Sequence, residues 1–293
     1  MPTTPVIIEA AINGATSKEQ NPHVPRTPEE ITSDALDCLE AGAAIIHNHI
    51  DRAGITEAEA ADRYLEGWRP ILAERPDALL YPTVHFGSQS TPGGYEHLIP
   101  LAASGLLRVG LADPGSVNLG GVDAQGVPAG RFVYANSFSD IGRAFEICAE
   151  HRLGPSLAIY EPGFLRTTLA WWRAGRLPAG AMVKLYFSTD RGLLGAPFGL
   201  PPTPKALDAY LELLEGCDLP WAVSVVGGDV ASSEVAALAL ELGGHLHLGL
   251  EFYAGPGTPT NAELVSEAVR LCQKHGRPIA TPIQAAELLH LPS

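Results

Sequence analysis

The regular alternation of short apolar runs with longer segments of helical periodicity is the feature that most constrains the fold of this 293-residue chain. Eight such units follow one another, each a predicted strand and then a predicted helix. The predicted strands are Val6–Ile12, Ala44–His49, Leu79–Val84, Leu107–Leu111, Ser156–Tyr160, Ala181–Phe187, Trp221–Val225 and His245–Leu250. The predicted helices are Thr27–Ala41, Thr56–Glu74, Tyr95–Ala103, Ser137–His151, Gly163–Ala174, Pro204–Glu215, Ser232–Leu242 and Asn261–His275.

The predicted strands are apolar along their length rather than alternating. Strands of this kind are buried on both faces, which is typical of a parallel sheet covered by helices. Eight strand–helix units predict a (β/α)8 TIM barrel, an α/β fold, with residues 1–293 as a single domain. An open doubly wound sheet is the alternative, and we disfavour it because no Gly-x-Gly-x-x-Gly follows the first strand and no natural break divides the chain.

Charge and cysteine content exclude several classes of function. The net charge is −14 and no run of Lys or Arg is present, so nucleic acid is not an expected partner. No apolar run reaches the length of a membrane span, and the N-terminus lacks the basic flank of a signal peptide. The four cysteines, Cys38, Cys148, Cys217 and Cys272, are widely spaced, which indicates reduced thiols and a cytoplasmic protein.

Two histidines end the second predicted strand. His47 and His49 share a face of the strand because side chains at i and i+2 point the same way. Glu251 follows the eighth strand, which belongs to the same alternating set and flanks the first strand from the other side. Two imidazoles, one carboxylate and an open position describe a catalytic zinc site, although a lone His-x-His is most often incidental.

Other polar residues near strand ends allow two interpretations each. His85 ends the third strand and either faces the pocket or is a hydrogen-bonded structural histidine. Thr83 and Ser116 either help to hold a carboxylate or make ordinary turns. Glu161, after the fifth strand, is a pocket acid or part of the turn into the next helix.

Three further histidines are assigned by position. His245 is expected to be a hydrogen-bonded core residue, because it lies deeper on the eighth strand. His247, on the same face as Glu251, is expected to face the substrate or to support the metal ligands. His97 falls near the third helix and is expected to be solvated.

Several longer segments then identify a family resemblance. They are Ala10-Ala-Ile-Asn-Gly-Ala15, Asn21-Pro-His-Val-Pro, Thr27-Pro-Glu-Glu, Glu40-Ala-Gly-Ala-Ala-Ile-Ile-His-Asn-His-Ile50, Tyr160-Glu-Pro-Gly, Trp221-Ala-Val, Gly243-Gly-His-Leu-His-Leu-Gly-Leu-Glu251, Asn261-Ala-Glu-Leu-Val and Gly276-Arg-Pro-Ile-Ala-Thr-Pro282. Together they resemble the β-keto acid cleavage enzymes nearly from end to end.

The resemblance implies a zinc-dependent barrel that binds a small carboxylate substrate, a β-keto acid, through its keto oxygen and its carboxylate. Family members condense this acid with acetyl-CoA and split the product into acetoacetate and a new CoA ester. His47, His49 and Glu251 match the zinc ligands, and Thr83 and Ser116 match hydroxyls that contact substrate. A homo-oligomer, a dimer or a tetramer, is also implied.

The chain departs from the family pattern at four positions. Thr16 stands where an acidic residue usually selects the distal group of the substrate, which disfavours a cationic amino substrate. Phe252 replaces a proton-transferring Asp and makes the pocket more apolar, while His247 and Gly228 replace two Arg residues. Because an imidazole titrates near neutrality, His247 is the expected replacement for proton transfer, with Glu161 as a second catalytic candidate.

Two other functions fit the same metal site. Zinc-bound water would serve a metal-dependent hydrolase, and the same metal would promote a retro-aldol cleavage without CoA. The missing Asp and Arg also suit a non-catalytic homologue that binds a metal or ligand. Amidohydrolase barrels carry His-x-His on the first strand together with a bridging Lys, and that arrangement is not apparent here.

Overall fold

A computed structural model describes residues 2–85 and 94–292 as an eight-stranded parallel sheet surrounded by helices. The barrel strands are Ile8–Ala11 (β1), Ile45–Asn48 (β2), Leu79–Pro82 (β3), Val109–Ala112 (β4), Gly154–Ile159 (β9), Met182–Ser188 (β10), Trp221–Val226 (β11) and His245–Leu248 (β12). Two short antiparallel strand pairs, one nested inside the other, lie between β4 and the next helix: Val117–Asn118 (β5) pairs with Val133–Tyr134 (β8), and Gly121–Val122 (β6) pairs with Pro128–Ala129 (β7). The helices are Pro28–Ala41 (α1), Glu57–Glu74 (α2), Leu98–Ala103 (α3), Phe138–Glu150 (α4), Pro162–Arg173 (α5), Pro204–Leu213 (α6), Glu234–Leu242 (α7), Asn261–Lys274 (α8) and Pro282–Leu288 (α9).

The strand order is β3-β2-β1-β12-β11-β10-β9-β4, so β1 lies between the two strands that carry the candidate metal ligands. The end strands β3 and β4 contact each other without forming a ladder, and the sheet is nearly closed as a barrel. Almost every residue of the eight strands is buried. The prediction of a TIM barrel is therefore confirmed, and the carboxyl ends of its strands converge on one face, where barrel enzymes place their active sites.

Helix boundaries follow from local chemistry that can be read in the sequence. Thr27 caps α1 with a reciprocal capping box to Glu30, as predicted, and Gly42 ends the helix in the left-handed conformation. The same box begins α2 at Thr56 and α8 at Thr260. These caps direct each loop from the barrel face back to the outer helical layer.

The structure differs from the sequence expectation in three places. The third helix begins at Leu98 rather than at Tyr95. Tyr95 precedes the helix, and its buried hydroxyl donates to the side chain of Asn136. The last helix, α9, and the two nested strand pairs were not predicted, because these elements are too short to show a hydrophobic period. The expectation for His97 was wrong, since its ring is fully buried and its Nε2 lies 2.9 Å from the carbonyl oxygen of Thr83.

The cysteine and membrane expectations can be compared with the described residues. All four cysteines are free thiols there. Among residues 2–85 and 94–292, none of the helices has both the length and the apolar character that a membrane crossing requires.

Candidate metal centre

The three predicted metal ligands meet at the carboxyl end of the barrel. His47 is on β2, His49 follows it, and Glu251 lies in the turn after β12. The Nε2 atom of His49 is 3.1 Å from Oε1 of Glu251, and Nε2 of His47 is 3.3 Å from Oε2. One donor atom from each residue lies within 4.8 Å of the other two, a separation that suits a shared ion.

The neighbouring strand β1 and its loop hold this cluster in place. The side-chain oxygen of Asn13 accepts hydrogen bonds from the backbone N–H groups of Gly14 and His49, both at 2.8 Å. Its amide nitrogen donates to the carbonyl oxygen of His49 at 3.0 Å. The backbone N–H of Glu251 donates to the carbonyl oxygen of Ala11 at 3.1 Å. His49 and Glu251, which lie on either side of β1, are therefore both held by hydrogen bonds to β1 and the loop after it.

Charge and burial favour the metal-binding protonation states of Glu251 and His47. Burial opposes ionisation of Glu251, but the two imidazoles outweigh it and hold the pKa of its carboxyl well below the usual range. Burial also lowers the pKa of His47, against the attraction of Glu251. A neutral imidazole and a carboxylate are the forms that coordinate a metal. Oε2 of Glu251 has no hydrogen-bond partner among the described residues, so the donor set fits an ion such as Zn²⁺.

Gly14 makes room for the ligand carboxylate. Its φ is +52°, and a Cβ atom there would lie 2.1 Å from Cγ of Glu251. We therefore expect Gly14→Ala to displace Glu251 and weaken zinc binding about 10–100-fold, measured by chelator competition. Gly257→Ala is the matched control, because Gly257 also has a positive φ, of +77°, but nothing lies within 4 Å of its added Cβ. Equal zinc affinity in the two variants would contradict this account.

Two cavities adjoin the cluster on different sides. The first, of about 450 Å³, is lined by Glu251 and is called here the Glu251 cavity. The second, of about 470 Å³, is lined by His49 and is called the His49 cavity. Each is large enough for a small organic acid, and both reach the candidate metal ligands.

The predicted substrate contacts divide between these cavities. Thr16 and Phe252 line the Glu251 cavity, where the hydroxyl of Thr16 donates to the carbonyl oxygen of Leu250 at 2.6 Å. Thr83 and His85 line the His49 cavity. Four of the five predicted substrate contacts thus line a cavity that a candidate metal ligand also lines.

Ser116 and Glu161 lie together but apart from the cluster. They line a separate cavity of about 460 Å³ that no candidate metal ligand lines. The Ser116 hydroxyl donates to the carbonyl oxygen of Asn136 at 3.1 Å, and a Glu161 oxygen accepts from the Gly199 N–H at 3.1 Å. Both bonds join residues that are distant in the chain, 20 and 38 positions apart, rather than neighbours within a turn. Their predicted roles toward substrate stay predictions.

His247 lies in the barrel interior, fully buried. Its ring stacks on Tyr186 and meets the Phe252 ring edge to face. Burial lowers the pKa of His247 to about 3, although the nearby Glu9 opposes the shift. His247 lines neither the Glu251 cavity nor the His49 cavity, so its predicted part in proton transfer also stays a prediction. His245 is a core residue as expected, and its Nδ1 accepts the Ile7 N–H at 3.0 Å.

Sequence reasoning missed a buried ion pair inside the barrel. Nζ of Lys184 on β10 donates to Oε1 of Glu9 on β1 at 3.1 Å and to the Tyr81 hydroxyl at 2.5 Å. The Tyr81 hydroxyl in turn donates to Oε1 of Glu9, and the Tyr81 ring stacks on His47 with 4.5 Å between centroids. The available signal was a single charge within each of two otherwise apolar strands.

Asp113, which directly follows β4, was also missed. Burial raises the pKa of its carboxyl to about 6, although the Tyr134 hydroxyl donates a hydrogen bond to it. An acid at the carboxyl end of a barrel strand was the signal that could have identified it. Its side chain is nearly inaccessible.

Comparison with known proteins gives matches along nearly the whole chain. The sequence pattern of the family described as beta-keto acid cleavage enzyme matches residues 5–291. The 3-keto-5-aminohexanoate cleavage enzyme of Acetoanaerobium sticklandii is 28% identical, over 97% of each chain. The 3-oxoadipate:acetyl-CoA acetyltransferase of Cupriavidus necator is also 28% identical, over 99% of this chain and 96% of the relative.

Solved structures support the fold. The ternary complex of ObcA with a C4-CoA adduct and oxalate superposes with a TM-score of 0.64 and 17% identity, covering 92% of this chain and 68% of that one. Yersinia pestis dihydropteroate synthase bound to a pterine-sulfa conjugate gives a TM-score of 0.53 at 14% identity, over 94% of both chains.

Proposed function

Because the chain belongs to the beta-keto acid cleavage enzyme family, we propose that it condenses a β-keto acid with acetyl-CoA and releases acetoacetate and a new CoA ester. The observation that carries this proposal is the cluster of His47, His49 and Glu251 at the mouth of the barrel, with a cavity on each side. A reaction between two substrates needs two spaces that meet at one reactive centre. The relative from Cupriavidus necator is named for the use of acetyl-CoA with a keto acid.

In this proposal His47, His49 and Glu251 hold a zinc ion. A bound zinc ion supplies a Lewis acid that polarises the keto oxygen and acidifies the adjacent C–H bonds. The protein orients His49 through Asn13, and it holds His47 buried and the other two ligands partly buried. Thr83 and Thr16, one in each cavity, are in position to contact the two substrates.

The Glu251 cavity suits a substrate with a neutral distal group. Its lining contains Thr16, Gln20 and Phe252, and Glu251 is the only carboxylate among the described residues that line it. A second carboxylate would be needed to neutralise an ammonium group in such a cavity. We therefore propose that β-keto acids with a cationic amino group are poor substrates for this protein.

A substrate panel tests the proposed function. The zinc-loaded protein is incubated with acetyl-CoA and single β-keto acids that carry alkyl, hydroxyl, carboxyl or amino distal groups, and mass spectrometry follows acetoacetate and new CoA esters. We expect both products from at least one β-keto acid with an uncharged distal group. The β-keto acid with an amino distal group is expected to have at least tenfold lower kcat/KM. The absence of a CoA ester from every member would refute the proposal.

The same experiment separates the other interpretations of the site. Cleavage of a keto acid without acetyl-CoA would favour a hydrolase or retro-aldol lyase. Zinc binding without any turnover would favour a non-catalytic homologue. The homo-oligomer implied by the family resemblance stays a prediction.

A further inference from the structure

The proposed reaction begins with the loss of a proton from C2 of the β-keto acid, and the described structure offers few groups that can accept it. A general base must reach the bound substrate and be unprotonated at neutral pH. Phe252, which lines the Glu251 cavity beside the metal ligand, cannot accept a proton. The base is therefore to be found among the other residues that line the two cavities.

The Glu251 cavity contains no suitable group. Apart from Glu251 itself, which serves as a metal ligand, none of the described residues in its lining carries a carboxylate or an imidazole. Tyr253 lines it, but burial raises the pKa of that hydroxyl. Arg191 is also present, and a guanidinium stays protonated.

Among the described residues that line the His49 cavity, three could act as a base besides the candidate metal ligand. Asp51 is held by two hydrogen bonds from the Arg63 guanidinium, at 2.9 and 2.6 Å, which lower its pKa and make it a weak base. The Tyr64 hydroxyl is buried, which raises its pKa, and it accepts a hydrogen bond from the Thr83 N–H at 3.2 Å. His85 remains, and it lines the same cavity as His49 and Thr83.

The hydrogen bonding of His85 selects the tautomer that a base acting through Nδ1 requires. Its Nε2 lies 2.8 Å from the carbonyl oxygen of Ile55. A carbonyl oxygen only accepts hydrogen bonds, so Nε2 carries the proton of the neutral ring and Nδ1 carries the lone pair. No hydrogen bond to Nδ1 is found among residues 2–85 and 94–292. The Ile55 carbonyl thus has the orienting role that a third group has in catalytic triads.

We propose, on the basis of the proposed function, that His85 is the general base of this reaction. Its Nδ1 takes a proton from C2 of the β-keto acid, and the C–H electron pair forms the enolate. The enolate carbon attacks the thioester carbonyl of acetyl-CoA and the CoA thiolate leaves. That thiolate then attacks the original keto carbon, the C–C bond breaks, and C2 of acetoacetate recovers the proton from the His85 imidazolium.

This assignment competes with the sequence prediction for His247. His247 is fully buried and lines neither cavity, whereas His85 shares a cavity with a metal ligand. A group that transfers a proton to substrate must come within hydrogen-bond reach of it. The imidazole that lines the cavity is the better candidate on this ground.

Exchange of the C2 protons in D2O tests the proposal without acetyl-CoA. NMR measures the rate at which the C2 protons of a β-keto acid exchange, after subtraction of the spontaneous rate. The zinc-loaded proteins compared are the wild type, His85→Gln, His247→Gln and His23→Gln. The last is the control, because it changes an exposed histidine. We expect at least about 100-fold slower exchange in His85→Gln, near wild-type exchange in the control His23→Gln, and partial rescue of His85→Ala by added imidazole. Loss of exchange in His247→Gln alone would overturn the assignment, as would the absence of enzyme-dependent exchange in the wild type.

A second measurement does not depend on zinc or turnover. NMR of the metal-free protein with ¹⁵N-labelled histidine reports the tautomer of each ring. The His85 signal is identified as the one that is absent from the spectrum of His85→Gln, and we expect it to show the tautomer protonated at Nε2. The tautomer protonated at Nδ1 would overturn the proposal. Wild-type exchange that requires His85, without any CoA ester, would refute the proposed function and leave this assignment standing. Formation of a CoA ester at the wild-type rate by His85→Gln would refute the assignment of His85 and leave the proposed function standing.

Discussion

Substitution of Glu251 by Gln is expected to lower zinc affinity by more than about 100-fold and to abolish turnover with the best β-keto acid of the panel. Glu251 supplies one of the three donor groups and the only negative charge among them. A neutral amide is a weaker ligand for Zn²⁺, and changes to groups that merely support metal ligands already cost about 10–100-fold. Chelator competition measures the affinity, and CoA ester formation measures the turnover.

Loss of zinc affinity should be separated from loss of stability. The Glu251 carboxylate pairs with two imidazoles, so the metal-free variant is expected to be less stable than the metal-free wild type, and urea unfolding of both measures this difference. Glu267→Gln is the matched control, because Glu267 is half exposed on α8 and pairs only with Arg270 among the described residues. If Glu251→Gln binds zinc with wild-type affinity, Glu251 is not a metal ligand and the proposed centre has no carboxylate.

The second large effect is expected from the ion pair inside the barrel. Lys184 and Glu9 are 4% and 0% exposed, and removal of one partner leaves a buried charge uncompensated. Lys184→Met and Glu9→Gln are each expected to lower the free energy of unfolding by about 3–5 kcal/mol at pH 7. Urea unfolding followed by circular dichroism provides the measurement.

The double variant separates the ion pair from the packing of its side chains. Glu9→Gln combined with Lys184→Met leaves neither charge of the pair, and the introduced amide oxygen can still accept the hydrogen bond from Tyr81. Its loss of stability should therefore be well below the sum of the two single losses. Additive losses would show that the charges do not stabilise each other.

The same pair gives stability a defined dependence on pH. Burial opposes the ionisation of Glu9, but Lys184 and its other neighbours outweigh this and lower its pKa from 4.5. The unfolded chain therefore takes up this proton at higher pH than the native chain does. The contribution of Glu9 is complete above about pH 4.5 and is lost as the pH falls through the lower native value. Urea unfolding repeated across this pH range measures it.

Much of this protein could be predicted because its determinants are local. The capping box of Thr27 and Glu30 joins residues three positions apart, and the shared face of His47 and His49 follows from the two-residue period of a strand. The choice of Glu251 required only the order of strands in a barrel. The family resemblance supported the same three residues.

Prediction was weaker where a side chain meets partners distant in the chain. Thr83 and Ser116 looked alike in sequence, since each is a hydroxyl near the end of a strand. The structure places Thr83 in a cavity with His49, whereas the Ser116 hydroxyl bonds with Asn136 in a different cavity. The nested strand pairs that follow β4 made this difference, and their short strands carry no periodic signal.

The sequence by itself determined the alternating elements, their caps and the histidine pair, because those features depend on spacing along the chain. Only the tertiary structure decided that Glu9, Tyr81 and Lys184 form one buried network, since Glu9 and Lys184 are 175 positions apart. Tertiary structure likewise gave His85 its orienting carbonyl at Ile55, 30 positions away. Closing a barrel brings such residues together through strand order and tilt, which depend on the packing of the whole sheet.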